Sequence, residues 1–412
     1  MQTHLSPEFG NTRDGREAEA ILRKCVHCGF CTATCPTYQL LGDELDGPRG
    51  RIYLIKQALE GAEITRATQR HLDRCLTCRN CETTCPSGVE YGRLVDIGRR
   101  IVEERVGRPA AEKAARWLLK EGLTSPFFAP ALRMGQRLRP LLPAALRNKV
   151  PAPAGARAGG WPTREHARKV LLLAGCAQPA MMPNINRATA RVLDAAGIQT
   201  LIAEGAGCCG AIRAHLNDHE GGLADMRRNV DAWWPLVRAG AVEAIVMNAS
   251  GCGVMVKEYG HALAHDPEYA DRAARVSELT RDLSELLPDL TPRLQDRIRP
   301  DAIGRLAFHS PCTLQHGQRV RGVVETHLDA LGFEVKVARD ESHLCCGSAG
   351  TYSVLQPKLA YPLRDRKLGH LAALEPRCIV SANIGCIQHL QSGTSIPVKH
   401  WVEVLDEALA PG

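Results

Sequence analysis

The sequence predicts a small helical domain followed by a larger α/β domain that is duplicated. Good helix formers surround eight cysteines in residues 20–104, whereas from residue 169 onward short apolar runs alternate with helical stretches. Such alternation is typical of βαβ units with a parallel sheet. At 412 residues the chain is long enough for two or three domains.

Eight N-terminal cysteines form two copies of one motif, Cys-x2-Cys-x2-Cys-x3-Cys-Pro, fifty residues apart. In this motif three closely spaced cysteines hold three corners of a [4Fe–4S] cluster, and the fourth, before Pro, ligates the other cluster. A pair of zinc sites is disfavoured, because zinc usually takes two separated Cys-x-x-Cys pairs. We therefore expect cluster I on Cys25, Cys28, Cys31 and Cys85, and cluster II on Cys75, Cys78, Cys81 and Cys35.

The two motifs are separated by more residues than a compact two-cluster ferredoxin needs. The segments GPRGRIYLIKQALEG and ITRATQRHLDR between them predict two helices. This arrangement resembles the α-helical ferredoxin modules of succinate dehydrogenase-type enzymes. We expect an α-helical ferredoxin domain over residues 1–105.

Residues 106–168 predict a basic linker rich in Pro, Ala and Arg. The stretch 105–168 holds 13 Lys and Arg against 3 Asp and Glu, whereas the rest of the chain has a net charge of −3. Its prolines allow short helices but no long one, and PAPAGARAGGWP indicates a flexible connector. The strip is either a solvated linker or a docking surface for a partner subunit or an anionic membrane.

A second repeat lies in the C-terminal half. Each copy has one cysteine, then Cys-Cys-Gly, then one more cysteine, at offsets of 134 to 137 residues between copies. We expect duplicated α/β domains over 169–300 and 301–412, related by a pseudo-twofold axis. The first cysteine set is Cys176, Cys208, Cys209 and Cys252, and the second cysteine set is Cys312, Cys345, Cys346 and Cys386.

Every cysteine of these sets follows a predicted strand, so each set should gather at the carboxyl edge of its sheet. Four gathered thiols can hold a third iron–sulfur cluster or a zinc ion, or they are buried packing residues. Cys378 has no counterpart in the first copy and is expected to be a small buried apolar residue. The neighbouring histidines are expected on the polar surface; they are His215, His219, His309, His316 and His343.

Composition restricts the compartment. No apolar run approaches the roughly 20 residues that span a bilayer, and the N-terminus lacks the apolar core of a secretory signal. We therefore expect a cytoplasmic protein, in which 17 cysteines serve as metal ligands rather than disulfides. We expect no nucleic-acid partner.

Several segments, taken together, resemble one family. They are KCVHCGFCTATCPTYQLLGDELDGPRGRIYLIKQ, GCCGA, NVDAWW, SGCG, VKEYG, CTLQH and HLCCGSAGTY. They are most similar to the glycolate oxidase iron–sulfur subunits, which join a ferredoxin domain to cysteine-rich CCG domains. In architecture the chain also resembles iron–sulfur subunits of anaerobic glycerol-3-phosphate dehydrogenase, lactate-utilisation proteins and heterodisulfide reductase.

The resemblance implies a role in electron transfer. Partner subunits that carry flavin would oxidise glycolate, or D-lactate, to the 2-oxo acid, and this chain would pass the electrons toward a quinone-type acceptor. It would then be peripheral on the cytoplasmic face of the inner membrane, with no catalytic residue of its own and no activity in isolation.

Two alternatives remain open. The CCG cysteines would make the chain a self-sufficient disulfide or quinone reductase, as in heterodisulfide reductase-like proteins, or they would only staple a scaffold with zinc. Heterodisulfide reductase uses five thiolates in each repeat, but Ala249 and Asn383 occupy the extra position here. We therefore expect a site with four ligands.

Overall fold

The computed structural model describes residues 1–141 and 159–410. Its N-terminal domain is helical, and α2, α5, α6 and α8 pack around a shared apolar core. A 3-10 turn at Glu44–Asp46 precedes α5. The helices are α1 Pro7–Gly10, α2 Arg13–Lys24, α3 Phe30–Ala33, α4 Pro36–Leu41, α5 Pro48–Leu59, α6 Arg66–Asp73, α7 Asn80–Thr84 and α8 Tyr91–Arg105.

Local sequence signals explain the two helices between the motifs. Helix α5 begins at Pro48, where a missing backbone N–H costs nothing. Helix α6 begins after Thr65, whose hydroxyl accepts a hydrogen bond from the amide of Thr68. The structure confirms both helices predicted from the sequence.

The basic linker contains helices α9 Ala110–Thr124 and α10 Phe128–Leu138, followed by a 3-10 turn at Arg139–Leu141. The expectation of short helices is therefore confirmed, and most of the predicted connector lies outside the described residues. In the part of the chain that the structure describes, no helix combines the length and apolar character needed to cross a membrane.

The first CCG repeat is built on a four-stranded parallel sheet in the order β2-β1-β3-β4. Its strands are β1 Arg168–Leu172, β2 Ile198–Leu201, β3 Ala244–Met247 and β4 Thr280–Asp282. Its helices are α11 Gln178–Met181, α12 Asn184–Ala195, α13 Ala211–His215, α14 His219–Arg238, α15 Ser250–Lys257, α16 Tyr259–Ala262, α17 Ala270–Leu279 and α18 Leu287–Leu294, with 3-10 turns at Leu283–Leu286 and Gln295–Arg297.

The second repeat has the same strand order, β6-β5-β7-β8, and the same parallel pairing. Its strands are β5 Leu306–His309, β6 Val335–Lys336, β7 Cys378–Ser381 and β8 Val398–His400. Its helices are a π-helix at Thr313–Gly317, α19 Val323–Ala330, α20 Tyr352–Leu355, α21 Pro357–Ala372, α22 Ile384–Gln391 and α23 Trp401–Glu407. Two parallel sheets after a helical domain confirm the predicted fold class.

The sequence pattern missed one strand. Strand β4 is only three residues long, Thr-Arg-Asp, so no apolar run marks it. Its pairing with β3 makes it the counterpart of β8, which closes the second sheet.

Matching segments of the two repeats meet face to face. The amide of Ser250 donates to the carbonyl oxygen of Ala382, and the amide of Gly251 donates to Oδ1 of Asn383. Residues 249–251 and 382–383 flank the last cysteine of their own repeats, so they are near-equivalent positions. Contacts between equivalent positions are what a pseudo-twofold axis requires.

The glycine after each cysteine pair adopts a left-handed conformation, with φ of 91° at Gly210 and 89° at Gly347. A Cβ atom on Gly347 would collide with the carbonyl oxygen of Ala360. Gly322 also has a positive φ of 73°, but open space surrounds the position of its Cβ.

We expect Gly347→Ala to lower the thermal unfolding midpoint more than Gly322→Ala. Both carry the left-handed penalty of about 1–2 kcal/mol, but only the first adds a backbone collision. Thermal melts of the two full-length variants, followed by circular dichroism, measure the difference. Equal shifts would mean that the turn tolerates a side chain.

Candidate functional site

Both N-terminal motifs follow the same backbone path. His27 and Gly29 in the first motif have positive φ, and so do Thr77 and Arg79 at the matching positions of the second. Left-handed residues between the cysteines curl the loop tightly and turn backbone N–H groups toward a bound anion. The amide of Thr77 accordingly donates to Sγ of Cys75 at 3.4 Å.

The structure brings together the thiols expected for cluster I. They line a small cavity between the two motifs, and Cys81 of the second motif, Pro86 and Tyr91 also line it. Burial raises the pKa of Cys25, and the thiolates of Cys85 and Cys28 raise it further. A cavity lined by soft sulfur ligands fits an iron–sulfur cluster. The four thiols are Cys25, Cys28, Cys31 and Cys85.

The thiols expected for cluster II also lie together. Burial raises the pKa of Cys81, and the thiolates of Cys78, Cys75 and Cys35 raise it further. Cys35 therefore lies with the second motif, as Cys85 lies with the first. This placement supports the crossed ligation expected from the motif, which stays a prediction.

Two buried arginines distinguish the cluster II thiols. Burial raises the pKa of Cys75, but the charges of Arg51 and Arg99 outweigh it and the pKa is lowered. Arg99 donates to the carbonyl oxygens of Leu72 and Cys75 at 2.9 and 2.6 Å. Cations at this position would stabilise the extra negative charge of a reduced cluster held by these thiols.

A buried acid anchors this region. Asp46 accepts hydrogen bonds from Arg74 at 2.7 Å and from Nδ1 of His71 at 3.0 Å, and it pairs with Arg51. The ligand atoms of Asp43, Asp46 and His71 lie within 4.8 Å of one another. Because the Asp46 oxygens already accept from these side chains, we interpret the group as an ion-pair network that holds α5 and α6 together.

The first cysteine set gathers at the carboxyl edge of its sheet, as the sequence predicts. Cys208 lies in side-chain contact with Cys176 and Cys209, and Cys209 with Cys252. Hydrogen bonds from Cys176 and Cys209, and from the amide of Gly210, lower the pKa of Cys208 to about 3. The same contacts and burial raise the pKa of Cys176 and Cys209, so Cys208 is favoured over these two neighbours as the thiolate, the form that binds metal.

The second cysteine set has the same order of contacts. Cys345 lies against Cys312 and Cys346, and Cys346 lies against Cys386. The Cys312 pKa lies well above its ordinary value because of the hydrogen bond with Cys345 and burial. Four sulfur donors at one edge suit a cluster or a zinc ion.

In the second repeat, a hydrogen-bond donor occupies the position where heterodisulfide reductase has its fifth thiolate. Nδ2 of Asn383 donates to Sγ of Cys386 at 3.6 Å, while its Oδ1 accepts from the amide of Gly251. Asn383 thus supports a thiolate instead of supplying one. The matching Ala249 offers no such contact.

The expectation that the neighbouring histidines lie on the surface is wrong for two of them. His309 and His316 are buried, and burial lowers their pKa to about 3 and about 4. His316 links two domains, because its Nδ1 pairs with the Thr83 hydroxyl at 2.8 Å and its Nε2 with the carbonyl oxygen of His343. Cys378 is buried at the start of β7, as predicted.

Sequence reasoning missed the buried cations. Arg51 and Arg99 lie on amphipathic helices, where arginine usually faces solvent. Lys367, on α21, is also buried near the second cysteine set; burial lowers its pKa, and the neighbouring thiolates act in the opposite direction. A signal was present, since each of these residues falls on the apolar face of its helix.

Comparison with known proteins completes the assignment. A family model described as a 4Fe-4S dicluster domain matches residues 21–89, and one described as a cysteine-rich domain matches residues 170–257 and 306–391. The glycolate oxidase iron-sulfur subunit of Escherichia coli (strain K12) is 57% identical over 99% of both chains. The chain belongs to the glycolate oxidase iron–sulfur subunit family.

More distant relatives match most or part of the chain. The probable glycolate oxidase iron-sulfur subunit of Bacillus subtilis (strain 168) is 31% identical, over 92% of this chain and 90% of its own. Lactate utilization protein A of Geobacillus thermodenitrificans (strain NG80-2) is 29% identical over 58% of this chain and 98% of its own. Family membership establishes iron–sulfur domains, whereas the ligands and the domain boundaries remain predictions.

We expect Cys85→Ser to remove the signal of cluster I and Cys35→Ser that of cluster II, because each residue lies with the opposite motif. Iron analysis and EPR of the reduced full-length protein measure both losses. Cys378→Ser is the matched control and should retain all the iron. Loss of the same EPR signal in both variants would contradict crossed ligation.

Proposed function

We propose that the chain is the iron–sulfur subunit of a flavin-linked glycolate dehydrogenase complex. It receives electrons from a flavoprotein subunit and passes them toward a quinone-type membrane acceptor. The arrangement of eight thiols in two adjoining sets carries this proposal, because two clusters in series form an electron path. The name of the 57% identical relative supports glycolate as the substrate of the complex.

The proposed cofactors are two [4Fe–4S] clusters at the N-terminal thiols and a further cluster in the CCG region. When bound, the clusters supply one-electron redox chemistry. The chain supplies thiolates, backbone amides and buried cations. Flavin is assigned to the partner subunits only.

Electrons enter most directly at cluster I, because its site reaches the surface. Cys28 is exposed, and the neighbouring Val26 and Phe30 are 68% and 61% exposed. Two exposed apolar side chains beside a cluster ligand provide a contact surface for the flavoprotein. By contrast, the cluster II thiols Cys35, Cys75 and Cys81 are buried.

The linker helices support attachment to the membrane. Phe127 is 76% exposed and Leu141 81%, and Trp117 and Met134 are also exposed. These apolar residues accompany the net positive charge of the linker. Exposed apolar side chains combined with basic residues are typical of helices that lie on an anionic bilayer. We therefore propose that the complex binds an anionic membrane surface, which the family resemblance implies is the cytoplasmic face of the inner membrane.

We expect glycolate to reduce the clusters only when the flavoprotein is present. Anaerobic mixing of glycolate with the complete complex, and separately with the purified chain, is followed by cluster absorbance and EPR. Reduction of the chain alone by glycolate would overturn the proposal. So would a complete, flavin-loaded complex whose flavin is reduced while the clusters stay oxidised.

We expect charge reversal at Arg133, Arg137 and Arg139 to release the complex from anionic vesicles, because electrostatic attraction to the lipid is lost. Vesicle co-sedimentation at low and high salt measures binding. The matched control reverses three exposed basic residues outside the linker, Lys336, Arg339 and Lys358, with the same change in net charge.

Unchanged vesicle binding in the linker variant would make the strip a solvated connector. Retained vesicle binding with loss of the flavoprotein would identify the strip as a partner surface instead. Equal release by the control would show a general charge effect.

A self-sufficient reductase remains the second candidate. The lowered pKa of Cys208, together with the partial exposure of Cys176 and Cys252, would suit thiol chemistry on a disulfide. In that case Cys208→Ser would abolish disulfide reduction by the dithionite-reduced chain while both N-terminal clusters remained reducible.

A further inference from the structure

The two cysteine sets have equivalent positions but different neighbours. The thiolate of Cys78, in the second N-terminal motif, interacts with that of Cys312, and Cys345 interacts with Cys78. Cys312 and Cys345 pack with Leu76 and Cys78 in one apolar group. The second cysteine set therefore adjoins the cluster II thiols.

Polar contacts fix this junction around the second motif. Tyr352 Oη donates to the carbonyl oxygen of Arg74 at 2.9 Å, and Nδ2 of Asn80 donates to that of His343 at 3.2 Å. The pairing of Thr83 with His316 adds a third contact. The residues just before and just after the cluster II cysteines are thus held by the second repeat.

The first repeat touches the N-terminal region differently. Its contacts are hydrogen bonds and ion pairs between polar side chains, such as Arg79 with Glu258, Asn217 with Glu103, and Arg213 with Glu121 of the linker. Cys209 and Cys252 pack in an apolar group inside their own repeat, with Trp233 among its members. Glu258 lies six residues beyond Cys252, about 9 Å along a helix.

The helix behind each Cys-Cys-Gly turn carries a different residue in the two repeats. A Cβ atom on Gly210 would meet the carbonyl oxygen of Gly222 in α14, and a Cβ atom on Gly347 would meet that of Ala360 in α21. Gly222 and Ala360 therefore occupy matching positions, and α14 and α21 align at an offset of 138 residues. By this alignment Asn229 and Lys367 are equivalent. Both are buried.

Each of these two residues donates to backbone carbonyl oxygens at or before the Cys-Cys-Gly turn of its own repeat, but the two differ in charge. Nδ2 of Asn229 donates to the carbonyl oxygen of Cys208, and Nζ of Lys367 donates to the carbonyl oxygens of Glu341 and Ser342. The Lys367 ammonium also interacts with the thiolates of the second set. A buried cation stabilises a reduced, more negative cluster, and a neutral amide does not supply that charge.

We infer that the two CCG sites have different roles. The second cysteine set holds the redox centre that exchanges single electrons with cluster II, and Lys367 raises its affinity for the electron. The first cysteine set lies outside this exchange. In each transfer one electron leaves cluster II and enters the centre at the second set, and no proton or bond is involved. This inference rests on the proposed CCG cluster.

The first experiment compares Cys345→Ser with Cys208→Ser, which stand at equivalent positions. EPR of the fully reduced full-length protein detects magnetic interaction between cluster II and a neighbouring reduced centre. We expect Cys345→Ser to abolish this interaction and Cys208→Ser to retain it. Loss in Cys208→Ser with retention in Cys345→Ser, or equal behaviour of the two, would overturn the division of roles.

The second experiment changes Lys367 without touching a ligand. A redox titration monitored by EPR should show a lower midpoint potential for the interacting centre in Lys367→Asn, which imports the first-repeat residue, and recovery in Lys367→Arg. Cluster I and cluster II should keep their potentials. An unchanged potential in Lys367→Asn, at wild-type iron content, would overturn the tuning role.

Iron analysis of the wild-type protein separates this inference from the proposed function. If the protein holds about twelve iron atoms per chain or more, but Cys208→Ser rather than Cys345→Ser loses the magnetic interaction, only the division of roles is overturned. Iron near eight atoms with no additional centre overturns the proposed CCG cluster and the inference with it, but leaves electron transfer by clusters I and II intact.

Discussion

The fourth cysteine of each N-terminal motif lies with the three cysteines of the other, and the rest of the structure depends on this exchange. Cys35 and Cys85 leave their own loops, so neither set of four thiols can assemble unless both loops are packed together. The intervening helices α5 and α6, with α8 behind them, provide the surface on which this packing occurs. A module with one motif could complete neither set.

Bringing many thiols together in the interior disfavours their ionised form, and nearby positive side chains partly compensate for this. Burial and mutual repulsion raise the pKa of Cys78 and Cys81, so thiolates there need compensating charge or metal. Arg51 and Arg99 supply part of this charge beside Cys75. The same two arginines donate to backbone carbonyl oxygens around the motif, so each side chain both stabilises the fold and supplies positive charge near the thiols.

Sequence patterns with strong physical constraints could be predicted. Cysteine spacing is dictated by ligand geometry, and this is why the grouping of the N-terminal thiols and the gathering of both CCG sets at the sheet edges follow from the sequence. Strand β4 was not predicted because its three residues, Thr, Arg and Asp, are all polar and produce no apolar signal. The buried Lys367 and His316 escaped because polar residue types favour the surface, and only tertiary packing places these two inside.

Duplication makes the asymmetry between the CCG repeats a geometric necessity. Two sites related by a pseudo-twofold axis are equivalent within the duplicated unit, but a single ferredoxin domain off that axis can place cluster II beside only one of them. Here Cys78 meets Cys312 and Cys345. Under the division of roles inferred above, Lys367 lies beside the site that adjoins cluster II, whereas its uncharged counterpart Asn229 lies beside the other. A symmetric fold with unequal sites is therefore the outcome expected when a duplicated domain is joined to one electron donor.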